Sequence, residues 1–268
     1  MENTMKKLLI VALLLLAAVI SCLFVADWAS APATHTKTVR AIDDKTETVL
    51  KLTATSTLAS AGISALPGDA ATPIAEKLAD FTEYFLLILC VLYSEKYLLT
   101  IIGAGAFRIL IPLACGLYAA GLFWNPKLLK KLSVKLAVIA LAIYFVIPVS
   151  INVSEMIYTS YQSSINATIT SAEELAEETE ELTDAAGDEG LVSSIFHKLT
   201  ETAGSLTDKA SHVLNRFVEA LAVMIVTSCI IPILVLVFFL WIIKQLTGVD
   251  IGAVLPHRKE EPGRRASR

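Results

Sequence analysis

Arg108 is the only charge between Lys96 and Lys127 in this 268-residue chain, and it stands inside a long apolar run. A charge placed in hydrocarbon costs roughly 2.5 to 3.5 kcal/mol on insertion scales, so such a residue is read as a functional candidate that needs an acid or an aqueous path. The nearest acids in sequence are Glu95 and Glu83. Three apolar runs also share an Ile-Pro pair, at Pro112, Pro148 and Pro232. Each proline removes a backbone donor and crowds the preceding turn, which predicts a kink at each site. Arg108, Glu95, Pro112, Pro148 and Pro232 therefore form the candidate functional set, with the chemistry of a lined path or a hinge and not of bond making.

Nothing else in the chain has the spacing of a reaction centre. There is no GxSxG, HExxH or phosphate-binding glycine loop, and His35, His197, His212 and His257 are scattered. Cys22, Cys90, Cys115 and Cys229 all lie in apolar runs with no CxxC pair, which argues against a disulfide framework or a zinc site. The expectation is a chain with no catalytic residues, no cofactor and no metal, and so not an enzyme. Nucleic acid is an improbable partner as well, because acids outnumber bases and the bases cluster beside apolar runs.

The elements that must carry these residues are membrane helices. Hydrophobic residues make up 55% of the chain. Leu8 to Val25, Tyr97 to Trp124, Leu132 to Ile151 and Ala220 to Ile243 each reach the length of about 18 residues that crosses a bilayer as a helix. Lys6 and Lys7 before the first run give residues 1–31 the pattern of a signal anchor or signal peptide. Lys127, Lys130, Lys131 and Lys135 in the loop 125–135, and the basic tail 244–268, should lie in the cytoplasm, since short loops rich in lysine and arginine stay inside. That bias places the segments 32–80 and 154–218 outside and predicts a multi-pass protein of a cell membrane, read as a bacterial cytoplasmic membrane.

Region 81–153 poses a parity problem, because one outside segment and one inside loop demand an odd number of crossings. Phe81 to Tyr93 reaches only about 20 Å at 1.5 Å per residue, too short for a ~30 Å core. It reads as re-entrant or interfacial, with Tyr97 to Trp124 as the crossing. The rival reading has two spans with a turn at Gly103 and Gly105.

The polar segment 154–218 carries Tyr158, Tyr161, Ile165, Thr168, Ala172, Leu175, Thr179 and Leu182 at alternating three and four residue spacing. After a break at Asp184 to Gly190, a second series runs Val192, Ile195, Leu199, Thr202, Leu206, Val213 and Phe217. Two such arms predict an antiparallel hairpin of coiled-coil type whose seam, weakened by Thr and Ala, needs a partner. Its first arm and tip are acidic, from Glu173 to Glu189. In segment 32–80, Val39, Ile42, Val49 and Leu52 predict an amphipathic helix, Leu66 to Asp69 a turn, and Thr72-Pro73 the capped start of another helix.

The fold expected is thus an all-α integral membrane protein with four to five transmembrane or re-entrant helices, the last span at 219–243, and an extracytoplasmic helical hairpin. Its expected role is that of a non-enzymatic scaffold or assembly component, in contact with lipid and with a protein partner or its own copies through the hairpin. The alternative is a subunit of a channel, transporter or secretion apparatus.

Overall fold

The computed structural model describes the backbone of residues 2–65, 71–123, 126–186 and 192–247, and the side chains of 5–65, 71–123, 127–181 and 204–245. The turn expected at Leu66 to Asp69, the break at Gly187 to Gly190, the seam side chains from Leu182 to Thr202 and the basic tail from Gly248 onward lie outside these residues.

Every regular element among the described residues is helical. Helix α1 (Glu2–Ile20) passes through a π-helical turn, Ser21–Val25, into α2 (Ala26–Ser30). A 3-10 turn, Pro32–His35, leads to α3 (Thr36–Ser64). Helix α4 (Thr72–Gly105) continues through the π-helical turn Ala106–Leu110 into α5 (Ile111–Phe123). Helix α6 (Pro126–Ala186) is a single run of 61 residues, about 90 Å long. Helix α7 (Val192–Ile225) passes through the π-helical turn Val226–Ile230 into α8 (Ile231–Thr247). Four of these continuous helices, within Met5–Ser30, Thr72–Phe123, Lys127–Glu181 and Gly204–Gln245, are long and apolar enough to cross a membrane. The chain is a multi-pass membrane protein.

Thr72 to Phe123 is one unbroken helix, so Phe81 to Tyr93 makes no re-entrant reversal and Gly103 and Gly105 make no turn. The physical reason is that each turn of this stretch finds a neighbour. Phe81, Phe85, Ile88 and Leu92 are buried against α3, α6 and α7, and Gly103 lies so close to α2 that a Cβ there would meet the Ala29 carbonyl oxygen at 2.5 Å. The parity problem disappears with a helix that crosses once. Thr72 is the first residue of α4 and not its cap; Ala71 holds that position and supplies no side-chain bond, with Pro73 in the first turn as expected.

Two regions result. In one, α3, the first half of α4, the second half of α6 and α7 form a four-helix bundle. Ile42, Val49 and Leu52 of α3 meet Leu78 and Phe85 of α4, Tyr158, Ile165 and Leu175 of α6, and Leu206, Val213 and Phe217 of α7 in one core. Phe217 sits at its centre, 5.8 Å from the Phe81 ring and 6.0 Å from that of Phe85. The threonines of α3 are accommodated because their hydroxyls return to their own helix, as with Thr46 to Ile42 O and Thr53 to Val49 O at 2.7 Å. Gly62 is required where α3 meets α6, since a Cβ would stand 2.1 Å from Thr179 Oγ1.

The α6–α7 pair is antiparallel, as Ser164–Glu219, Ser171–Arg216 and Glu178–Lys209 contacts show by running in opposite directions along the two helices. It is not a free hairpin, however. The weak seam of Thr168, Ala172 and Thr179 is covered by α3 of the same chain, which supplies the partner that the seam lacked. Tyr161 departs from the expected seam and is 46% exposed.

The other region is a row. Helix α1 packs on α5, α5 on α6 and α6 on α8, with no extensive packing of α1 on α8. Each adjacent pair is joined by a serine hydroxyl donated to a carbonyl of the next helix. Ser21 bonds Phe107 O at 2.8 Å, Ser133 bonds Ala114 O at 2.7 Å, and Ser154 bonds Thr227 O at 2.5 Å.

Phe217→Ala is expected to destabilise the bundle by roughly 3 to 5 kcal/mol, the range for truncating a buried aromatic. Limited proteolysis of the detergent-solubilised protein should then cut within 36–64 and 192–225, while the apolar helices stay protected. A bundle as resistant as the unsubstituted protein would contradict the packing described.

Candidate functional site at the base of the bundle

Helix α3 places a lysine in its own apolar stripe. Ile42 and Val49 are buried seven residues apart, and the position between them on the same face is Lys45, only 3% exposed. Its ammonium donates to Ser154 Oγ of α6 and lies 5.5 Å from the centroid of the Tyr158 ring, one turn further along α6. The Tyr158 hydroxyl is shared with Thr48 Oγ1 at 2.7 Å. Burial pushes the Lys45 ammonium below its ordinary pKa, and the charges of Glu155 on α6 and Glu95 on α4 oppose that shift. Beside this group, Lys96 pairs with Asp43 at 2.5 Å on the exposed side.

The cluster is anchored by a proline. In the turn Val226–Ile230 the Ile231 N–H bonds Val226 O, five residues back. The Thr227 carbonyl would take the next N–H, but residue 232 is proline and has none. Ser154 Oγ donates to this orphan oxygen while receiving the Lys45 ammonium, so one hydroxyl ties α3, α6 and the α7–α8 junction together. Glu155 Oε2 and Ser228 Oγ, next along each chain, are buried without a hydrogen-bond partner.

The same arrangement recurs at Pro112. Ile111 N–H bonds Ala106 O, the Phe107 carbonyl is left facing a residue without an N–H, and Ser21 Oγ of the first helix donates to it. Pro112 and Pro232 thus widen their helices by one residue and expose an acceptor, which is how π-helical turns relieve such a clash. Pro148 stays within the α-helical run of α6, and Asn152 Nδ2 donates to its carbonyl at 2.8 Å.

Arg108 belongs to neither group. Glu95 and Glu83 lie thirteen and twenty-five residues before it on one continuous helix, about 20 and 37 Å away along the axis, so neither can be its partner. Its acid is Asp27, with Nη2 and Oδ1 4.0 Å apart and both side chains mostly exposed. Glu95 faces Lys45 instead. Of the candidate set, the structure brings Glu95 and Pro232 to one place and leaves Arg108, Pro112 and Pro148 elsewhere. Three described cavities lie between α6 and α7 near Glu178 and Lys209 (about 300 Å³), beside Lys127, Lys131 and Lys135 (about 500 Å³), and among α1, α5 and α6 near Cys115 (about 280 Å³). Ile111 borders the last, but Arg108 and the three prolines line none of them.

Sequence reasoning missed Lys45. The signal was present, because a helix with Val39, Ile42, Val49 and Leu52 on one face must also turn residue 45 inward. A charge in that stripe cannot be served by its own helix and demands polar groups from others. Among the described residues no cluster of three or more His, Cys, Asp or Glu side chains could hold a metal ion. No family model, curated protein or solved structure matches the chain.

Ser154→Ala should cost roughly 1 to 3 kcal/mol by stranding the Thr227 carbonyl and the Lys45 ammonium. Lys45→Met, which keeps the volume and removes the charge, should reduce the cost of Ser154→Ala in a double-mutant cycle of melting in detergent. A sum of the single effects would mean that the residues act independently. The lowered pKa also has a sign: the unfolded lysine holds its proton up to about pH 10.4 and the folded one releases it earlier, so this residue's contribution rises with pH through that window. Lys45→Met should remove that alkaline gain.

Proposed function

We propose that the chain is a non-enzymatic assembly component of a cell membrane, with its four-helix bundle outside the bilayer and an acidic face offered to a partner. The observation that carries this reading is continuity. Helices α4–α5, α6 and α7–α8 run from bundle to apolar row without a break, so the orientation of the bundle is locked to that of the spans. A bundle held this way is suited to presenting a surface at fixed distance and angle.

The bundle closes its apolar core within the chain, and what it turns outward on α6 is acidic. Glu173, Glu174, Glu177, Glu180 and Glu181 are exposed, while Glu178 is held by Lys209. The partner this favours is a basic protein surface, approached through charge rather than through an open seam. The segment 125–135 is not a loop, since α6 is helical from Pro126, but Lys127, Lys130, Lys131 and Lys135 in its first turns, with the basic tail, support an outside position for the bundle through the positive-inside bias. The open row of spans favours membership in a larger membrane assembly over a lone channel, since a single layer of four helices encloses no path.

A photo-crosslinking residue in place of Glu177 should give a discrete adduct in intact cells. Glu173→Lys with Glu180→Lys should remove it without changing the amount of inserted protein. In a version whose native cysteines are replaced, an impermeant thiol reagent should label Glu177→Cys and spare Ser267→Cys. Absence of any adduct along this face would end the acidic-face reading, and labelling of Ser267→Cys would overturn the orientation.

A further inference from the structure

We infer that a furrow along the first turns of α6 holds an anionic phospholipid of the leaflet at that end of the spans, its phosphate on a row of lysines and an acyl chain on the leucines beside them. The furrow has a volume of about 500 Å³ and is lined by Lys127, Leu128, Lys131, Leu132 and Lys135. Residues four apart stand one above the other on a helix, so the three lysines form one row about 12 Å long. The two leucines form a second row at its side.

Two independent contacts place this row at the edge of the apolar zone. On one side, Leu14 of α1 lines a cavity together with Cys115 of α5 and Ser133, Val134 and Ala137 of α6, so Leu14 and Lys135 stand at one height. Lys7 lies seven residues before Leu14, about 10 Å nearer the end of the molecule, and α1 is uncharged from Leu8 to Ala26. Helix α5 is equally uncharged from Ile111 to Phe123, and Leu8, Leu9 and Phe123 are exposed. Here the apolar surface extends down to the height of Lys127. On the other side, the bond from Ser154 to Thr227 O sets α8 against α6. Lys135 lies nineteen residues before Ser154 and Lys244 seventeen after Thr227, so the apolar run of α8 ends within about 3 Å of the height of Lys135. Between these two limits the molecule has a step, and the lysine row climbs it. A bilayer edge that crosses the step brings headgroups onto the row, with hydrocarbon against α5 and the two leucines.

The charge of the site selects the lipid. No acid occurs between Glu95 and Glu155, and among the described residues Lys127, Lys131 and Lys135 take part in no ion pair or hydrogen bond. Lys130 is turned the other way, its ammonium 5.5 Å from the centroid of the Tyr118 ring on α5. Three unopposed ammonium groups at the edge of hydrocarbon are costly unless an anion meets them. A zwitterionic lipid carries its own cation beside its phosphate, whereas an anionic one brings the net charge that basic side chains at the ends of spans attract. Leu128 and Leu132, 66% and 48% exposed, serve the acyl chain, for which a free phosphate has no use. The inference rests on α6 crossing the bilayer and is independent of what the acidic face of the bundle meets.

The test uses the full chain in mild detergent, titrated with dioleoyl phosphatidylglycerol or dioleoyl phosphatidylcholine and read by native mass spectrometry. The unsubstituted protein should retain the anionic lipid more tightly than the zwitterionic one by about thirtyfold, roughly threefold for each lysine of the row. Lys127→Gln with Lys131→Gln should lower that preference to about threefold, and Lys127→Arg with Lys131→Arg should keep it. Lys37→Gln with Arg40→Gln, which removes the same charge from exposed positions on α3, should leave it unchanged. Leu128→Asn with Leu132→Asn should weaken retention of the diacyl lipid, and glycerol phosphate without acyl chains should not displace it at the same concentration. Equal retention of the two lipids by the unsubstituted protein, an undiminished preference in the glutamine pair, an equal loss in the α3 pair, or displacement by glycerol phosphate would overturn the inference. So would a photoreactive residue at Leu132 that captures an acidic protein in membranes and no lipid.

Discussion

Two carbonyl oxygens that prolines deprive of their partners set the register of this molecule. Phe107 O and Thr227 O each face, five residues on, a residue without an N–H. A buried backbone acceptor left unpaired costs several kcal/mol. A donor from the next helix serves each, Ser21 for Phe107 O and Ser154 for Thr227 O. Because a hydroxyl reaches only about 3 Å, each bond fixes the depth at which its helix sits against its neighbour. At the Ile-Pro pairs at 112 and 232 each helix is therefore tied to its neighbour by one such bond.

The bundle depends on the same bond. Ser154 is where α6 leaves the apolar row, and its hydroxyl receives the Lys45 ammonium from α3. Helix α3 has no span of its own to hold it at that depth, so its place along α6 is specified by its core contacts, by this buried lysine and by Gly62 pressed against Thr179. An apolar residue at position 45 would bury as well but would fit several registers. A lysine fits only where a hydroxyl, an aromatic face and carboxylates coincide, which is the use of buried charge that favours one arrangement over its neighbours.

Much of this was legible in the sequence. Periodicity marked the buried faces of α3, α6 and α7, and the length of the apolar runs marked the spans. Local reading failed where the deciding partner was distant. Phe81 to Tyr93 was too short to cross alone, and its continuity with Tyr97 to Phe123 depends on α3 and α7, which cover it. The seam of Thr168, Ala172 and Thr179 read as a hairpin in want of a partner, and that partner lay more than a hundred residues earlier. Glu95 and Glu83 are the acids nearest Arg108 in sequence, yet thirteen and twenty-five residues of helix hold them about 20 and 37 Å away. Asp27 and Lys45 could be paired with their groups only once the helices were placed side by side.

The two halves of the molecule are specified by different forces. In the bundle, burial of Phe217, Leu52 and Tyr158 removes apolar surface from water, and that gain favours closure from all sides. Among the spans lipid competes on equal terms with leucine, so apolar surface alone gives no reason for four helices to close. What remains is polar and steric: one serine-to-carbonyl bond for each adjacent pair of the row, and glycines where backbones touch at 103 and 121. Three pairwise bonds define a row but not a ring, which is why α1 and α8 lie apart although each is as apolar as any helix in the chain.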